Sequence, residues 1–174
     1  MSLNFRSIKY LVLGSLSVVM GLGPVLVAQA QQLEEIVVTA QKREQSMQDV
    51  PFSVSAMTGE TLRNRGINDI IDLQAITPSL MTPSTGSPGQ GLSFRLRGFG
   101  SPPFQLGIEP AVATFVDGVY RSRSGVAVND LVDINRIEIL KGPQGTLFGK
   151  NTTAGVVHIV TNRPNLENVE GFIE

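Results

Sequence analysis

The residues best suited to chemistry lie between Gly142 and His158, where three glycines precede a lysine and the only histidine of the chain follows. Glycine-rich loops beside a lysine bind phosphate in nucleotide-binding proteins. A Walker A loop, however, needs glycine at position 144 and serine or threonine at position 151, and these positions hold Gln144 and Asn151. The glycine spacing also misses the Gly-x-Gly-x-x-Gly of dinucleotide-binding loops. The sequence therefore argues against both kinds of nucleotide site.

The other polar candidates do not form a catalytic or metal-binding set. His158 alternates with apolar neighbours in a predicted strand, with no second proton-transfer residue near it, and we interpret it as a hydrogen-bonding residue of a sheet. Asp130 and Asp133 lie on a predicted helical turn that begins at Asn129, and we interpret both as capping groups that face solvent. The chain contains no cysteine. We therefore expect no enzyme, no bound metal and no cofactor.

The elements around these residues are short strands joined by turns. Alternating residues 136–140 predict a half-buried strand, Gly142 and Pro143 end it, and residues 156–160 predict a second strand. Asp117-Gly118, between apolar runs at 112–116 and 119–120, predicts a hairpin with a tight type I′ turn. Strict alternation over 92–97 predicts another strand, with both of its arginines on one face.

Short helices and long loops complete the pattern. After a predicted strand at 52–56, Thr58 is a suitable N-cap for a helix that Gly66 ends. Asn68 is a candidate cap for a second helix, which Pro78 ends. Residues 81–91 and 99–110 are rich in glycine and proline and predict loops. This mixture of strands and helices indicates an α+β fold.

The N-terminus predicts export. Residues 1–30 combine basic Arg6 and Lys9 with an apolar run and an Ala-Gln-Ala exit, as in a cleaved signal peptide. Removing these two basic residues from the total of 14 leaves 12, against 15 acidic side chains. Because no basic cluster stands out, we expect no nucleic-acid partner.

The order R-I-E-I-L-K-G-P-Q-G-T-L-F-G in residues 136–149, followed by small residues and a strand that ends in T-N-R-P, resembles the plug-domain signature of TonB-dependent outer-membrane receptors. The resemblance covers nearly all of residues 33–164. It implies a plug-domain fold with a small mixed β-sheet, short helices and long loops. Such a plug occludes a transmembrane β-barrel.

Residues 35–40 carry a second part of this resemblance. β-branched residues at 36–39 favour an extended backbone, and their charged flanks leave the segment little to pack against. This pattern fits an ordinary first strand, or an exposed strand that pairs with the sheet edge of a partner. The segment resembles the TonB box of the receptor family. The resemblance implies that the periplasmic domain of TonB binds Glu35, Ile36, Val37, Val38, Thr39 and Ala40.

Five charged residues are expected to share the polar face of the predicted strands, namely Arg95, Arg97, Arg136, Glu138 and Lys141. A solvated face with cross-strand pairs is the simplest interpretation. The resemblance implies instead that they contact the inner wall of the barrel, where basic plug residues meet carboxylates. Lys141 stands where the family has arginine, which keeps the charge but loses the planar two-pronged geometry.

The resemblance implies a signal peptide at 1–30, a flexible leader with the TonB box at 31–49, a plug at 50–165 and the start of a first barrel strand at 166–174. The remaining barrel is missing, and we expect a truncated chain. The expected function is gating of active uptake of a chelate or other scarce nutrient across the outer membrane, with the plug facing the periplasm. The sequence does not indicate the substrate. The alternative is a free-standing periplasmic binding or interaction module.

Overall fold

A computed structural model of the chain describes residues 35–84, 92–103, 107–124 and 131–167, which belong to one unit that begins at Glu35. The strands are β1 Val37–Val38, β2 Gln45–Ser46, β3 Val54–Thr58, β4 Leu80–Met81, β5 Arg95–Leu96, β6 Val112–Val116, β7 Val119–Arg121, β8 Ile134–Lys141 and β9 Gly155–Thr161. The α-helices are α1 Gly59–Asn64, α2 Leu73–Ile76 and α3 Gly145–Phe148, and 3-10 turns span Met47–Asp49 and Ile70–Asp72. None of the helices in the described ranges is long and apolar enough to cross a bilayer.

A five-stranded sheet forms the centre of the domain. Its strand order is β3-β8-β9-β6-β7, and β6 runs parallel to β9 while the other neighbours are antiparallel. Strands β1 and β2 form one small hairpin, and β4 and β5 form another two-stranded pair. The mixed sheet, the short helices and the intervening loops confirm the predicted α+β plug-like class.

The two faces of the central sheet carry separate cores, because alternate side chains point to opposite faces. One face, which we call the helix-covered face, packs on α1 and α2; it includes buried residues such as Leu62, Leu73, Ile137 and Ile159. The opposite face packs on the β1–β2 hairpin through Val38, Ala40, Phe115, Leu140 and Val156. We call this second surface the hairpin-covered face.

Several predicted turns and caps are confirmed. Thr58 caps α1 by accepting a hydrogen bond from the amide of Thr61, and Gly66 follows with a φ of +65°. Asp117 and Gly118 have φ values of 49° and 78°, as a type I′ turn requires. Two predictions are displaced: the strand expected at 52–56 lies at Val54–Thr58, and Asp69 rather than Asn68 caps the second helical segment.

The strand predicted over 92–97 is mostly wrong. Only Arg95–Leu96 form a strand, because Arg97 and Gly98 both have positive φ and make a tight turn between Leu96 and Phe99. Arg97 therefore does not share a strand face with Arg95. The predicted cap at Asn129, the signal peptide at 1–30, the segment 168–174 and parts of both long loops lie outside the described residues.

Candidate functional site

The extended segment 35–40 is docked on the hairpin-covered face. Val38 and Ala40 are fully buried, whereas Val37 is 44% exposed, as alternation along a strand requires. The β2 strand pairs with β1, and the amide of Met47 donates to the carbonyl oxygen of Ile36 at 3.0 Å. The expectation that this segment has little to pack against is therefore wrong, because it covers the second core.

Thr39 binds a buried carboxylate. Its amide donates to Oε1 of Glu138 at 2.8 Å, and its hydroxyl donates to the same oxygen at 3.0 Å. Nη2 of Arg136 lies 3.4 Å from the Thr39 hydroxyl. Thr39, which lies between the buried residues Val38 and Ala40, thus makes polar contacts with the central sheet.

Glu138 has further partners on the sheet itself. Nε of Arg136, two residues earlier on β8, donates to Oε1 at 2.8 Å. His158 is the cross-strand neighbour of Glu138 on β9, and its Nδ1 lies 3.5 Å from Oε2. The Glu138 side chain is completely buried. Its expected place on an exposed face, where it would contact a barrel wall, is therefore wrong: Glu138 is an interior group that is paired within the domain.

Two opposing effects set the pKa of Glu138. Burial raises the pKa, because it disfavours the charged carboxylate. The hydrogen bonds from His158, the Thr39 amide and Arg136, together with the charge interaction with His158, outweigh burial and hold the pKa below its ordinary value. The carboxylate is therefore charged at neutral pH, and its charge depends partly on a donor from the segment 35–40.

Hydrogen bonding assigns the tautomer of His158. The Gly118 amide donates to Nε2 of His158 at 3.2 Å, so Nε2 acts as the acceptor. When the imidazole is neutral, an acceptor at Nε2 leaves the proton on Nδ1, which lies 3.4 Å from the Thr39 hydroxyl oxygen and 3.5 Å from Oε2 of Glu138. The prediction that His158 is a hydrogen-bonding sheet residue is confirmed, but the expectation that no second proton-transfer residue lies near it is wrong, because Glu138 is its cross-strand neighbour. Residues 138 and 158 are equally far from Phe148 along the sequence. Because β8 and β9 are consecutive antiparallel strands, this equal separation is the sequence signal that could have predicted the pairing of Glu138 with His158.

A cavity of about 750 Å³ opens beside this cluster. Thr39, Lys42, Phe115, Arg136, Phe148 and His158 are among the residues that line it. The ammonium group of Lys42 lies 5.6 Å from the centre of the Phe148 ring, within the range of a cation–π contact. The described residues contain no group of three or more His, Asp or Glu side chains that could hold a metal ion.

The other charged residues lie apart from this cluster. Alternation puts Lys141 on the helix-covered side of β8, opposite to Arg136 and Glu138, so the prediction that all five share one face is wrong. Partial burial, and secondarily the charge of Arg97, lower the pKa of Lys141. Within the described ranges, Arg95, Arg97 and Lys141 make no ion pair with a carboxylate.

A comparison with protein families identifies the domain that carries this site. Residues 46–156 match the family model of the TonB-dependent receptor plug domain. The chain belongs to this family. Thr39 lies before the matched part of the chain, whereas its hydrogen-bond partner Glu138 lies within it.

Relatives with known roles are receptors and transporters. The pesticin receptor of Yersinia pestis is 33% identical over 150 residues, which cover 84% of this chain and 22% of the relative. The vitamin B12 transporter BtuB of Vibrio vulnificus is 28% identical over 87% of this chain and 25% of the relative. The solved structure of the ferric yersiniabactin uptake receptor FyuA from Yersinia pestis has a TM-score of 0.57 and 31% identity, over 66% of this chain and 17% of that receptor. The chain spans about a quarter or less of the length of these relatives.

Proposed function

We propose that this chain is the gating plug of a TonB-dependent outer-membrane transporter, and that TonB binds residues 35–40. The match of residues 46–156 to the plug family carries the proposal. In this proposal residues 1–30 direct export, a β-barrel surrounds the plug, and residues 166–174 enter its first strand. The plug has no catalytic role of its own.

The conformation of residues 35–40 supports a TonB-binding role. The segment is extended, and within the described residues β1 pairs with only one other strand, β2. An extended segment with an unpaired edge can bind a partner by β-strand addition, in which main-chain hydrogen bonds give affinity and side-chain pockets give specificity. Binding of TonB to this segment would transmit a pull to the rest of the plug along the chain that follows residue 40.

The unpaired basic residues support a barrel contact. Lys141 and Arg97 are close enough for their charges to interact, and neither forms an ion pair in the described part of the chain. Two neighbouring cations are stabilised by a nearby carboxylate. We propose that Arg95, Arg97 and Lys141 face carboxylates of the surrounding barrel, while Arg136 serves the internal Glu138.

The transported substrate is proposed only as a class. The names of the relatives refer to pesticin, vitamin B12 and ferric yersiniabactin, which differ in chemistry. We propose a scarce nutrient of this general kind, such as an iron chelate or a cobalamin, that crosses the outer membrane when TonB supplies energy.

Calorimetric titration of the full chain with the periplasmic domain of TonB tests the proposed partner. Ile36→Pro removes a main-chain donor from the segment and should abolish binding. Position 36 is preferable to position 38, because Val38 is fully buried in the second core, whereas Ile36 packs against that core and is only partly buried.

Leu166→Pro is the matched control, because this residue is 95% exposed and lies outside both cores. We expect the control to bind TonB with the affinity of the unmodified chain. Equal binding by the chain and by Ile36→Pro, or no binding by any form, would show that residues 35–40 are not the TonB-binding segment.

A further inference from the structure

The cavity beside the Glu138 cluster has the size and the lining of a small-molecule site. Its volume of about 750 Å³ lies within the range of about 300–1,000 Å³ that is typical of ligand pockets. Apolar side chains on its wall include Phe115, Phe148 and Val160. The rings of Phe115 and Phe148 meet edge to face, with their centres 5.2 Å apart. The cavity therefore offers an apolar surface to a molecule that carries a ring.

The two carboxylates on the cavity wall already have partners within the domain. Both oxygens of Asp117 accept bonds from Thr161, one from its amide at 2.9 Å and the other from its hydroxyl at 3.0 Å. Oε1 of Glu44 lies 3.4 Å from Nη2 of Arg163. A ligand therefore does not need to supply donors to these acceptors.

Positively charged donors, in contrast, remain available at the cavity. Lys42 lines it, and the ammonium group makes no ion pair with a carboxylate in the described part of the chain. Arg136 lines it as well, and a guanidinium carries five N–H donors. Three of them bind Glu138, Asn135 and Thr39, which leaves two without a partner among the described residues. Available charged donors favour a ligand with an anionic oxygen group.

A tight turn places Lys42 at the edge of the apolar wall. Its φ of 59° lies in the left-handed region, which a lysine rarely adopts, and its amide donates to the carbonyl oxygen of Thr39 at 2.9 Å. The ammonium group lies 5.6 Å from the centre of the Phe148 ring. A cation over a ring is attracted to it and keeps its N–H donors for another acceptor. The turn therefore holds a cation where an aromatic acid would need one.

We propose that this cavity binds a small aromatic carboxylate, with its ring against the two phenylalanines and its carboxylate at Lys42 and Arg136. Asp117 lines the same cavity and repels such a ligand, so its charge limits the affinity. The described residues of the lining lie outside the predicted loops 81–91 and 99–110. The site is independent of the proposed function, because none of its contacts requires TonB.

Titration of the full chain with 2-naphthoate, followed by amide chemical shifts, tests this site. Signals of Gly118, Val160 and Thr161 should move, because these residues line the cavity, whereas signals of β3 at the far edge of the sheet should not. The neutral 2-naphthamide has the same rings without the charge. It should bind about tenfold more weakly, since contacts with two partly exposed cations are lost.

Two substitutions of opposite sign test the charge contact. Lys42→Met keeps an unbranched apolar stem and removes the ammonium group, so naphthoate should bind about fivefold more weakly while naphthamide changes by less than about twofold. Asp117→Asn removes the like charge and gives an Asn-Gly pair that suits the type I′ turn, so naphthoate should bind about threefold more tightly. Lys150→Met is the control, because Lys150 is 79% exposed and pairs with Glu109 outside the cavity lining. The control should bind both compounds like the unmodified chain.

Equal affinity of the unmodified chain for naphthoate and naphthamide would refute the carboxylate contact. The same preference for the acid in Lys42→Met as in the control would also refute it. Shifts confined to residues away from the cavity, or no shifts up to the solubility limit of naphthoate, would refute the site itself. Calorimetry with TonB measures the proposed function separately, so the two ideas can fail independently.

Discussion

Replacing Val38 with alanine should weaken the docking of residues 35–40 by about 2 kcal/mol. The Val38 side chain is fully buried in the second core, against residues such as Phe115, Leu140 and Val156. Two methyl carbons are removed, each worth about 0.8 kcal/mol of transfer free energy, and the residual cavity adds a smaller cost. Val37→Ala is the matched control, because Val37 is the adjacent residue and is 44% exposed.

Amide hydrogen exchange at Thr39 reports this docking. A loss of about 2 kcal/mol should accelerate exchange about 30-fold, whereas Val37→Ala should change the rate by less than about threefold. The two rates differ because Val38 lies against the sheet and Val37 does not. Equal acceleration by the two substitutions would refute the burial pattern of β1, and with it the docked position of the segment.

Two further predictions concern acid and close packing. The pKa of Glu138 is held below its ordinary value of 4.5, so its contribution to docking is complete above that pH and is lost as the pH falls through the lowered pKa. The protection factor of the Thr39 amide, which compares its exchange rate with that of an unfolded chain at the same pH, should therefore fall in acid. The charged or titratable groups beside it are Arg136 and His158, and the same cavity is also lined by Lys42, Glu44, Asp117 and Arg163. Glu138→Gln should remove the part of the acid dependence that comes from Glu138. Gly59→Ala should lower the free energy of unfolding by about 2 kcal/mol or more in urea titration, because a methyl group there overlaps the carbonyl oxygen of Ile134. In Gly145→Ala the added methyl group meets open space in a helix, so the free energy of unfolding should rise by about 0.5 kcal/mol. A decrease in the free energy of unfolding in both variants would contradict the packing at α1.

Local sequence signals predicted the local structure well. Asp117-Gly118 fixes a type I′ hairpin and Thr58 fixes the start of α1, because each depends on the chemistry of one or two neighbouring residues. The arginine at 97 shows the limit of such signals. Alternation over 92–97 favoured a strand, but the Arg97-Gly98 turn ends it, and the backbone hydrogen bond from Arg97 to Ser79 depends on a distant segment.

The site required tertiary information. Glu138 looked like a residue of a solvated face, because its neighbours alternate between polar and apolar. The β8–β9 register puts His158 beside it, and a segment 99 residues earlier in sequence supplies Thr39. Hydrophobic periods of two or 3.6 residues predict strands and helices, but they do not predict a contact between segments this far apart in sequence. The buried position of Val38 likewise follows from the hairpin with β2, whose short strand has no strong sequence signal.

The most direct test of the account is the position of residues 35–40 when TonB is bound. The chain has no cysteine, so cysteines introduced at the exposed positions Arg43 and Val132 can carry a pair of spin labels outside the TonB-binding segment. Pulsed electron resonance should give one narrow distance distribution for the free chain. Saturating TonB should lengthen and broaden it, because the segment leaves the sheet. An unchanged distribution at full occupancy would contradict the release of the segment from the sheet.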